Sequence, residues 1–241
     1  LADPALYVAL LMALFAALFG TRQVDATEHH HGMMLAIAVE SLVKLAAIVV
    51  VGLFAWHWLG ARQLPLAEAT RTLFANTPPT GFVAQTLLGF LAILCLPRQF
   101  QVAVVECGDV RDIRRARWLF GGYLVVISAM VMPIAVAGAY LFGGNTDVAA
   151  DSIVLALPLA EHRDTIALIA YVGGFSAATG MTIVSSIALA TMVSNDLIMP
   201  LLLRRGWGVR EGDTGMAMQV LWMRRLAIAL LAVLAYGYYR G

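Results

Sequence analysis

The sequence predicts an all-α integral membrane protein: a bundle of six transmembrane helices in a single membrane domain over residues 1–241. Of its 241 residues, 61% are hydrophobic and 13% charged, and the mean hydropathy is +0.83. Soluble domains carry roughly 25% charged residues, so these charges are too few to cover a soluble surface. The composition therefore excludes soluble enzymes and disordered chains. A net charge of +1 gives no reason to expect a nucleic-acid partner.

Six apolar stretches approach the length of about 20 residues that a bilayer helix needs. Their approximate bounds are 5–20, 33–59, 80–106, 118–142, 165–199 and 226–239. The first and last are short for a full crossing, and the fifth is long enough to need a tilt or a break. We expect helices because a helix satisfies its own backbone polar groups in lipid. No stretch shows the sustained alternation of a strand.

The arginines of the connecting loops predict which loops face the cytoplasm. Loops 21–32, 107–117 and 200–225 hold ten Lys and Arg residues, whereas loops 60–79 and 143–164 hold three. By the positive-inside rule, the first three loops are cytoplasmic and the two ends of the chain lie on the outer side.

The chain begins at Leu1 without the features of a signal peptide and stops shortly after an apolar run. We therefore expect it to be a piece of a longer protein. Cys95 and Cys107 are too few for a disulfide framework. The sequence has no phosphate-binding loop, nucleophile elbow or zinc-protease helix, so we predict no catalytic residue in it.

Glu40 and Lys44 are ionisable residues inside the second predicted span. A spacing of four places both on one face of a helix, and an acid that precedes a base is the better order for an intrahelical pair. Ionisable groups inside a membrane are costly and are functional candidates by default. The pair either neutralises itself and ties helices together or forms a site for a proton or a zwitterionic solute.

The third predicted span is interrupted near its middle by proline and polar residues. Pro97 lacks a backbone N–H and clashes with the preceding turn, which frees carbonyl groups there. In a membrane such a break persists where protein or a water-filled cavity surrounds it, and many transporters bind solutes at broken helices. We therefore predict substrate binding at Pro97, Arg98, Gln99 and Gln101, with a structural kink as the alternative.

Small and hydroxyl residues are dense in the fifth predicted span. Such residues usually allow helices to pack closely, with their hydroxyls bonded to neighbouring helices. Hydroxyl oxygens also suit a hard cation such as sodium, which prefers oxygen ligands. Ser176, Thr179 and Thr182 are therefore candidate sodium ligands, with close packing as the alternative.

Four segments together resemble the sodium/solute symporter family. They are Phe19–Glu28, the break Leu96–Phe100, the basic run Arg114–Arg117, and the small-residue stretch Ser176–Leu197 that ends in Ser-x-Asp-Leu. The segments stand in the family's order and cover nearly the whole chain. The resemblance implies a LeuT-type fold of two inverted five-helix repeats, in which this chain supplies core helices four to nine.

Within that family, the chain is most similar to the symporter-like sensory domain of CbrA-type bacterial histidine kinases. The segments that carry this similarity are Asp25–His30, Glu40–Leu45, Leu96–Gln101 and Met192–Leu197. The similarity implies a bacterial inner-membrane protein that senses or transports a small solute, with an amino acid as the first guess. It also implies a kinase core in the same parent chain, beyond Gly241. The alternatives are an ordinary symporter without a kinase and a purely structural membrane anchor.

The residues at the sodium-ligand positions of the family differ in this chain. Symporters that use sodium carry adjacent Ser/Thr ligands where the ungapped register puts Gly180 and Met181, with Thr179 and Thr182 on either side. The comparison therefore implies little dependence on sodium. A proton is the remaining coupling ion, and Glu40 is the carboxylate expected to carry it. No other cofactor is expected.

Overall fold

The computed structural model describes residues 4–19, 31–64, 70–71, 79–105, 107–143, 148–204 and 214–240. The regular structure of these ranges is helical, which confirms the all-α class. In chain order the α-helices are α1 (Pro4–Phe19), α2 (His31–Ala61), α3 (Pro79–Cys95), α4 (Pro97–Phe100), α5 (Val110–Phe142), α6 (Ile153–Ala160), α7 (Asp164–Met192), α8 (Met199–Arg204) and α9 (Thr214–Arg240). A 3₁₀ turn lies at Ala150–Ser152, and π-helical segments lie at Gln101–Val105 and Val193–Ile198.

Within the described ranges, four helical stretches are long and apolar enough to cross a membrane. They are Met34–Ala61, Arg111–Phe142, Asp164–Leu201 and Leu221–Arg240. These four stretches indicate a multi-pass membrane protein. Helices α1 and α3 match the first and third predicted spans in position, but with 16 and 17 residues they are short for a straight crossing.

The predicted break at Pro97 is confirmed. Helix α3 ends at Cys95, and the chain resumes helical structure at Pro97 before it widens into the π-helical segment Gln101–Val105. The carbonyl of Leu96 accepts hydrogen bonds from the amides of Gln99, at 2.9 Å, and of Phe100, at 3.1 Å. Because proline brings no N–H of its own, these two amides start the new helix.

Helices extend into three of the predicted loops. Helix α5 begins at Val110, eight residues before the expected span, because the Asp109 side chain accepts a hydrogen bond from the Arg111 amide at 2.8 Å and caps the helix. Helix α6 lies within predicted loop 143–164. Predicted loop 200–225 is helical at both ends, so Arg224 and Arg225 belong to α9 rather than to a loop. Predicted loop 21–32 lies outside the described residues except at His31 and Gly32.

The chain divides into two compact units. The first comprises Leu1–Met34, Ile93–Glu106 and Thr179–Gly241, and the second comprises Leu35–Ala92 and Cys107–Ala178. In the first unit, α1 packs against α9. Its core contains Ala190, Ala227 and Ile228, with Ala13 and Val193 packed against them.

The core of the second unit lies where α2, α5, α6 and α7 meet. Its buried side chains are Val51, Ala55, Trp58, Leu59, Ile134, Val136, Ala137, Leu157 and Ala170. Lipid is as apolar as these side chains, so close van der Waals packing rather than escape from water holds membrane helices together. Tight contact between the helix backbones is therefore decisive for this core.

Two glycines allow α5 and α7 to approach α2 closely. A Cβ atom added at Gly52 would lie 2.7 Å from the Cβ of Met130 on α5. A Cβ atom added at Gly173 on α7 would collide with the Cβ of Ala47 and reach 3.8 Å from the Cα of Lys44. Small residues at such crossings are typical of packed membrane helices. Helix α2 is therefore the common partner of α5 and α7 in this unit.

Candidate functional site

One face of α2 and its C-terminal cap carries buried core residues of the second unit together with three charged residues. The residues of this face, here called the packed face, are Glu40, Lys44, Ala47, Val51, Ala55, Trp58 and Arg62. At about 100° per residue they fall within an arc of about 80°. The four apolar members are buried. The charged members lie toward the two ends of the face.

Glu40 and Lys44 form the ion pair that their spacing predicted. Nζ of Lys44 lies 3.2 Å from Oε1 of Glu40 and donates a hydrogen bond to it. The Glu40 side chain is 13% exposed and the Lys44 side chain 31% exposed. A carboxylate so enclosed keeps its charge at low cost only while a cation remains beside it. The pair can therefore hold its charge inside an apolar helix.

Two neighbouring helices complete the surroundings of this pair. Tyr123 on α5 is half-buried and close enough for the charge of Glu40 to act on its hydroxyl group. Gly173 on α7 brings that helix against the backbone at Lys44. The ion pair thus supplies a carboxylate and an ammonium group, the phenol of Tyr123 lies within range of the charge of Glu40, and α7 lies against the backbone at Lys44. This set can accept from a ligand ammonium group and donate to a ligand carboxylate.

The Pro97 break belongs to the first unit, whereas the ion pair belongs to the second. Pro97 and Gln99 are half-buried, and Cys95 and Leu96 before them are exposed. The side chains of Arg98 and Gln101, the other two predicted substrate-binding residues, lie outside the described part of the structure. The break is therefore described through its backbone and through Pro97 and Gln99.

The three candidate sodium ligands lie on α7. Ser176 and Thr179 are half-buried, and Thr182 is exposed. Thr179 and Thr182 each take part in an interaction. Six residues of helix turn Thr182 by about 120° from Ser176, whereas Thr179 stays about 60° from either. Ser176 and Thr182 therefore lie on different sides of the helix.

The C-termini of α2 and α6 end in the same hydrogen-bond pattern. In α2, the Gln63 amide donates to the Gly60 carbonyl and the Leu64 amide to the Leu59 carbonyl, both at 3.1 Å. This is a Schellman motif, with Gln63 in the left-handed region at φ 53°.

The end of α6 repeats it: the His162 amide donates to the Leu159 carbonyl at 3.1 Å and the Arg163 amide to the Pro158 carbonyl at 2.9 Å. His162 also has φ 53°. Each motif therefore has a residue other than glycine at the position where glycine is most common.

Arg62 and Glu161 are the C-cap residues of these two motifs. Nη2 of Arg62 lies 3.0 Å from Oε1 of Glu161, and the guanidinium carbon of Arg62 lies 3.9 Å from the ring centroid of Trp58. The indole N–H of Trp58 and the Arg62 guanidinium lower the pKa of Glu161, against the opposing effect of desolvation. The Trp58 Nε1 atom has no partner of hydrogen-bond geometry among the described residues. The ion pair with Arg62 is therefore the better defined of the two contacts.

The sequence analysis did not single out Tyr123, Gly173 or the pair of Arg62 and Glu161. Tyr123 is a phenol in an apolar span, and Gly173 is one of the small residues of the fifth predicted span, which the sequence analysis assigned to packing or sodium. Both signals were visible, but neither indicates which helix would be the neighbour. Arg62 and Glu161 are separated by 99 positions, so only the fold joins them.

Comparison with protein-family models, with curated proteins and with solved structures finds no match to this chain. Within the described ranges, no group of three or more His, Cys, Asp or Glu side chains is arranged to hold a metal ion. The inference of function therefore rests on the residues and contacts described above.

Proposed function

We propose that this chain is the solute-sensing or transporting membrane part of a bacterial sensor histidine kinase. In this proposal it binds a small solute, an amino acid first, in a cavity of the helix bundle. The observation that carries the proposal is the ion pair between Glu40 and Lys44 on the packed face of α2. An amino acid presents one ammonium group and one carboxylate, so it can replace each partner of the pair with a group of the same sign.

The arrangement of the whole chain is part of this proposal. Six spans are core helices four to nine of a LeuT-type fold, with loops 21–32, 107–117 and 200–225 in the cytoplasm. The broken helix at Pro97, with Arg98, Gln99 and Gln101, lines the solute path. A proton rather than sodium is the coupling ion, and the kinase core follows in the same parent chain. The break at Pro97 supports the solute path, since irregular backbone at membrane depth is tolerated beside protein or water.

The test is binding of radiolabelled L-histidine, and then of the other amino acids, to the intact purified protein. We expect saturable binding that Glu40→Gln and Lys44→Met each reduce at least tenfold. Arg62→Gln is the matched control, because Arg62 lies on the same face about 33 Å along the helix from Glu40. If the wild-type protein binds an amino acid and neither substitution changes that affinity, then the pair is not part of the binding site. Uptake into proteoliposomes then separates a transporter from a sensor.

A structural membrane anchor is the second candidate, and one observation favours it. Glu40 and Lys44 are bonded to each other, so the pair is satisfied without a ligand. For an anchor, no amino acid binds saturably, and the same substitutions lower only the folded yield. An ordinary symporter fragment without a kinase stays an alternative, and the sequence downstream in the parent gene distinguishes it from a sensor kinase.

A further inference from the structure

The first two turns of α5 carry a concentration of arginine. Arg111, Arg114, Arg115 and Arg117 are all exposed, and Trp118 directly after them is 74% exposed. At about 100° per residue, Arg111, Arg114, Arg115 and Trp118 fall within an arc of about 100°. We call these four residues the arginine face. Arg117 lies about 60° beyond Arg114 and about 100° from Trp118, on the neighbouring side of the helix.

In the part of the chain that the structure describes, the arginine face has no neutralising acid. Asp109 caps the helix through the Arg111 amide, and Asp112 lies about 60° beyond Arg115 around the helix. Among the described residues, no carboxylate comes within ion-pair distance of any of the three arginines of this face. Three guanidinium groups, each with five N–H donors, are thus presented together. Such a set is complementary to an anion with several oxygen acceptors.

The position along α5 decides which anion this is. From Trp118 to Phe142 the helix rises about 36 Å, which spans a hydrocarbon core of about 30 Å with a small excess. Trp118 then lies in the interfacial region where tryptophan concentrates in membrane proteins. The three arginines lie up to about 10 Å farther out, at the depth of the lipid phosphates.

We propose that the arginine face binds the phosphate headgroup of an anionic phospholipid. The guanidinium groups of Arg111, Arg114 and Arg115 donate to the phosphate oxygens, and the Trp118 ring packs against the glycerol and upper acyl region. Each basic side chain that contacts the anionic lipid raises the affinity of the protein for that lipid by about fivefold. This proposal needs only that α5 crosses the membrane, so it is independent of the solute site.

Quenching of Trp118 fluorescence by brominated lipid tests it. The intact protein is reconstituted in phosphatidylcholine bilayers with increasing amounts of brominated phosphatidylglycerol, or of brominated phosphatidylcholine for comparison. The chain has five tryptophans. Subtraction of the signal of a Trp118→Phe variant isolates Trp118 from the other four. Intensities are normalised to unbrominated bilayers of the same charge. Arg114→Gln removes one charge from the arginine face, and Arg117→Gln removes one from another side of the same turn.

We expect the wild-type protein to prefer phosphatidylglycerol, and Arg114→Gln or Arg115→Gln to weaken that preference about fivefold. Arg117→Gln should leave it within twofold. Equal losses from Arg114→Gln and Arg117→Gln would show attraction by net charge alone and overturn the proposal. Displacement by inorganic phosphate at constant ionic strength would assign the face to a free anion instead. Lack of any preference in the wild-type protein would overturn the proposal.

Discussion

Arg62 and Glu161 cap the C-termini of two different helices and are bonded to each other, with 3.0 Å between Nη2 and Oε1. This ion pair joins the C-terminus of α2 to the C-terminus of α6, and both helices end there in a Schellman motif. Trp58, one turn earlier on α2, lies beneath the Arg62 guanidinium. This contact therefore holds the two helix ends together.

This contact predicts a loss of stability in acid. Trp58 and Arg62 lower the pKa of Glu161 below its ordinary value of 4.5. A carboxyl group with a lowered pKa stabilises the fold above its ordinary pKa and loses that contribution as the pH falls through the folded value. The melting temperature of wild-type protein in neutral detergent should therefore fall more steeply below pH 4.5 than that of Glu161→Gln. Above that pH, Glu161→Gln should be the less stable of the two.

Asp151→Asn is the matched control for that measurement, because Asp151 is an exposed carboxylate of the same unit. Its melting curve should keep the wild-type dependence on pH. If Glu161→Gln and Asp151→Asn show the same acid profile, then Glu161 makes no particular contribution to stability.

The crossing of α2 and α7 predicts opposite behaviour for two adjacent glycines. A Cβ atom at Gly173 would collide with Ala47, whereas nothing lies within 4 Å of a Cβ atom at Gly174. Gly173→Ala should therefore push α7 away from α2 and lower stability by about 1–3 kcal/mol, as overpacking does. Gly174→Ala should be neutral or stabilise the helix by up to about 1 kcal/mol. Thermal unfolding of both variants in detergent measures the difference, and equal effects would contradict this crossing.

The positions of the long helices could be predicted from the sequence, because long apolar runs leave few alternatives in a membrane, whereas α6 lies in a predicted loop. The ends of the helices could not. The start of α5 depends on Asp109, whose cap draws the arginines of a predicted loop into the helix. The fifth predicted span, 165–199, does agree with the helical stretch Asp164–Leu201, in which the chain passes through a π-helical segment after Met192 rather than ending there. Hydropathy along the sequence gives little indication of such local hydrogen bonds.

The site shows the same division. The bond between Glu40 and Lys44 follows from their spacing, since residues four apart face each other on any helix. The approach of Tyr123 and Gly173 depends on how α5 and α7 pack, and the sequence does not specify which faces meet. The resemblance of four segments of the chain to the symporter family stays a prediction.

The coupling of Glu40 and Lys44 can be measured with a double-mutant cycle. Glu40→Gln or Lys44→Met alone strands a charge in the bundle at a cost of roughly a few kcal/mol, whereas the double variant strands none. We expect the double variant to be more stable than the sum of the single effects predicts, read as folded yield and melting temperature. Glu40→Gln combined with Arg62→Gln is the control, and its effects should add because the two residues are far apart. Additive effects in the first cycle would show that Glu40 and Lys44 do not stabilise each other.

The break at Pro97 predicts access of water to its polar side chains. With Cys95 and Cys107 replaced by serine, a cysteine at Gln99 should react with a water-soluble thiol reagent in the intact membrane-embedded protein. Leu88→Cys on α3 is the comparison, because Leu88 is 66% exposed in an apolar stretch and should face lipid. A Gln99→Cys variant that stays unreactive in every condition, with and without amino acids, would argue against a cavity there.

Sodium dependence is the prediction that separates the proposed protein from an ordinary sodium symporter. In the proposed alignment with sodium symporters, Gly180 and Met181 take the positions of the adjacent Ser/Thr ligands. A hard cation needs several oxygen ligands, which a thioether and a glycine side chain do not supply. Met181 is also 54% exposed. Amino-acid binding to the intact protein should therefore change less than twofold when choline replaces sodium at constant ionic strength and pH. Ser176 and Thr182 lie on different sides of α7, which makes a shared site harder to build. A large loss of affinity in choline, together with the same loss in Thr182→Ala, would restore a sodium site and exclude the proton as the only coupling ion.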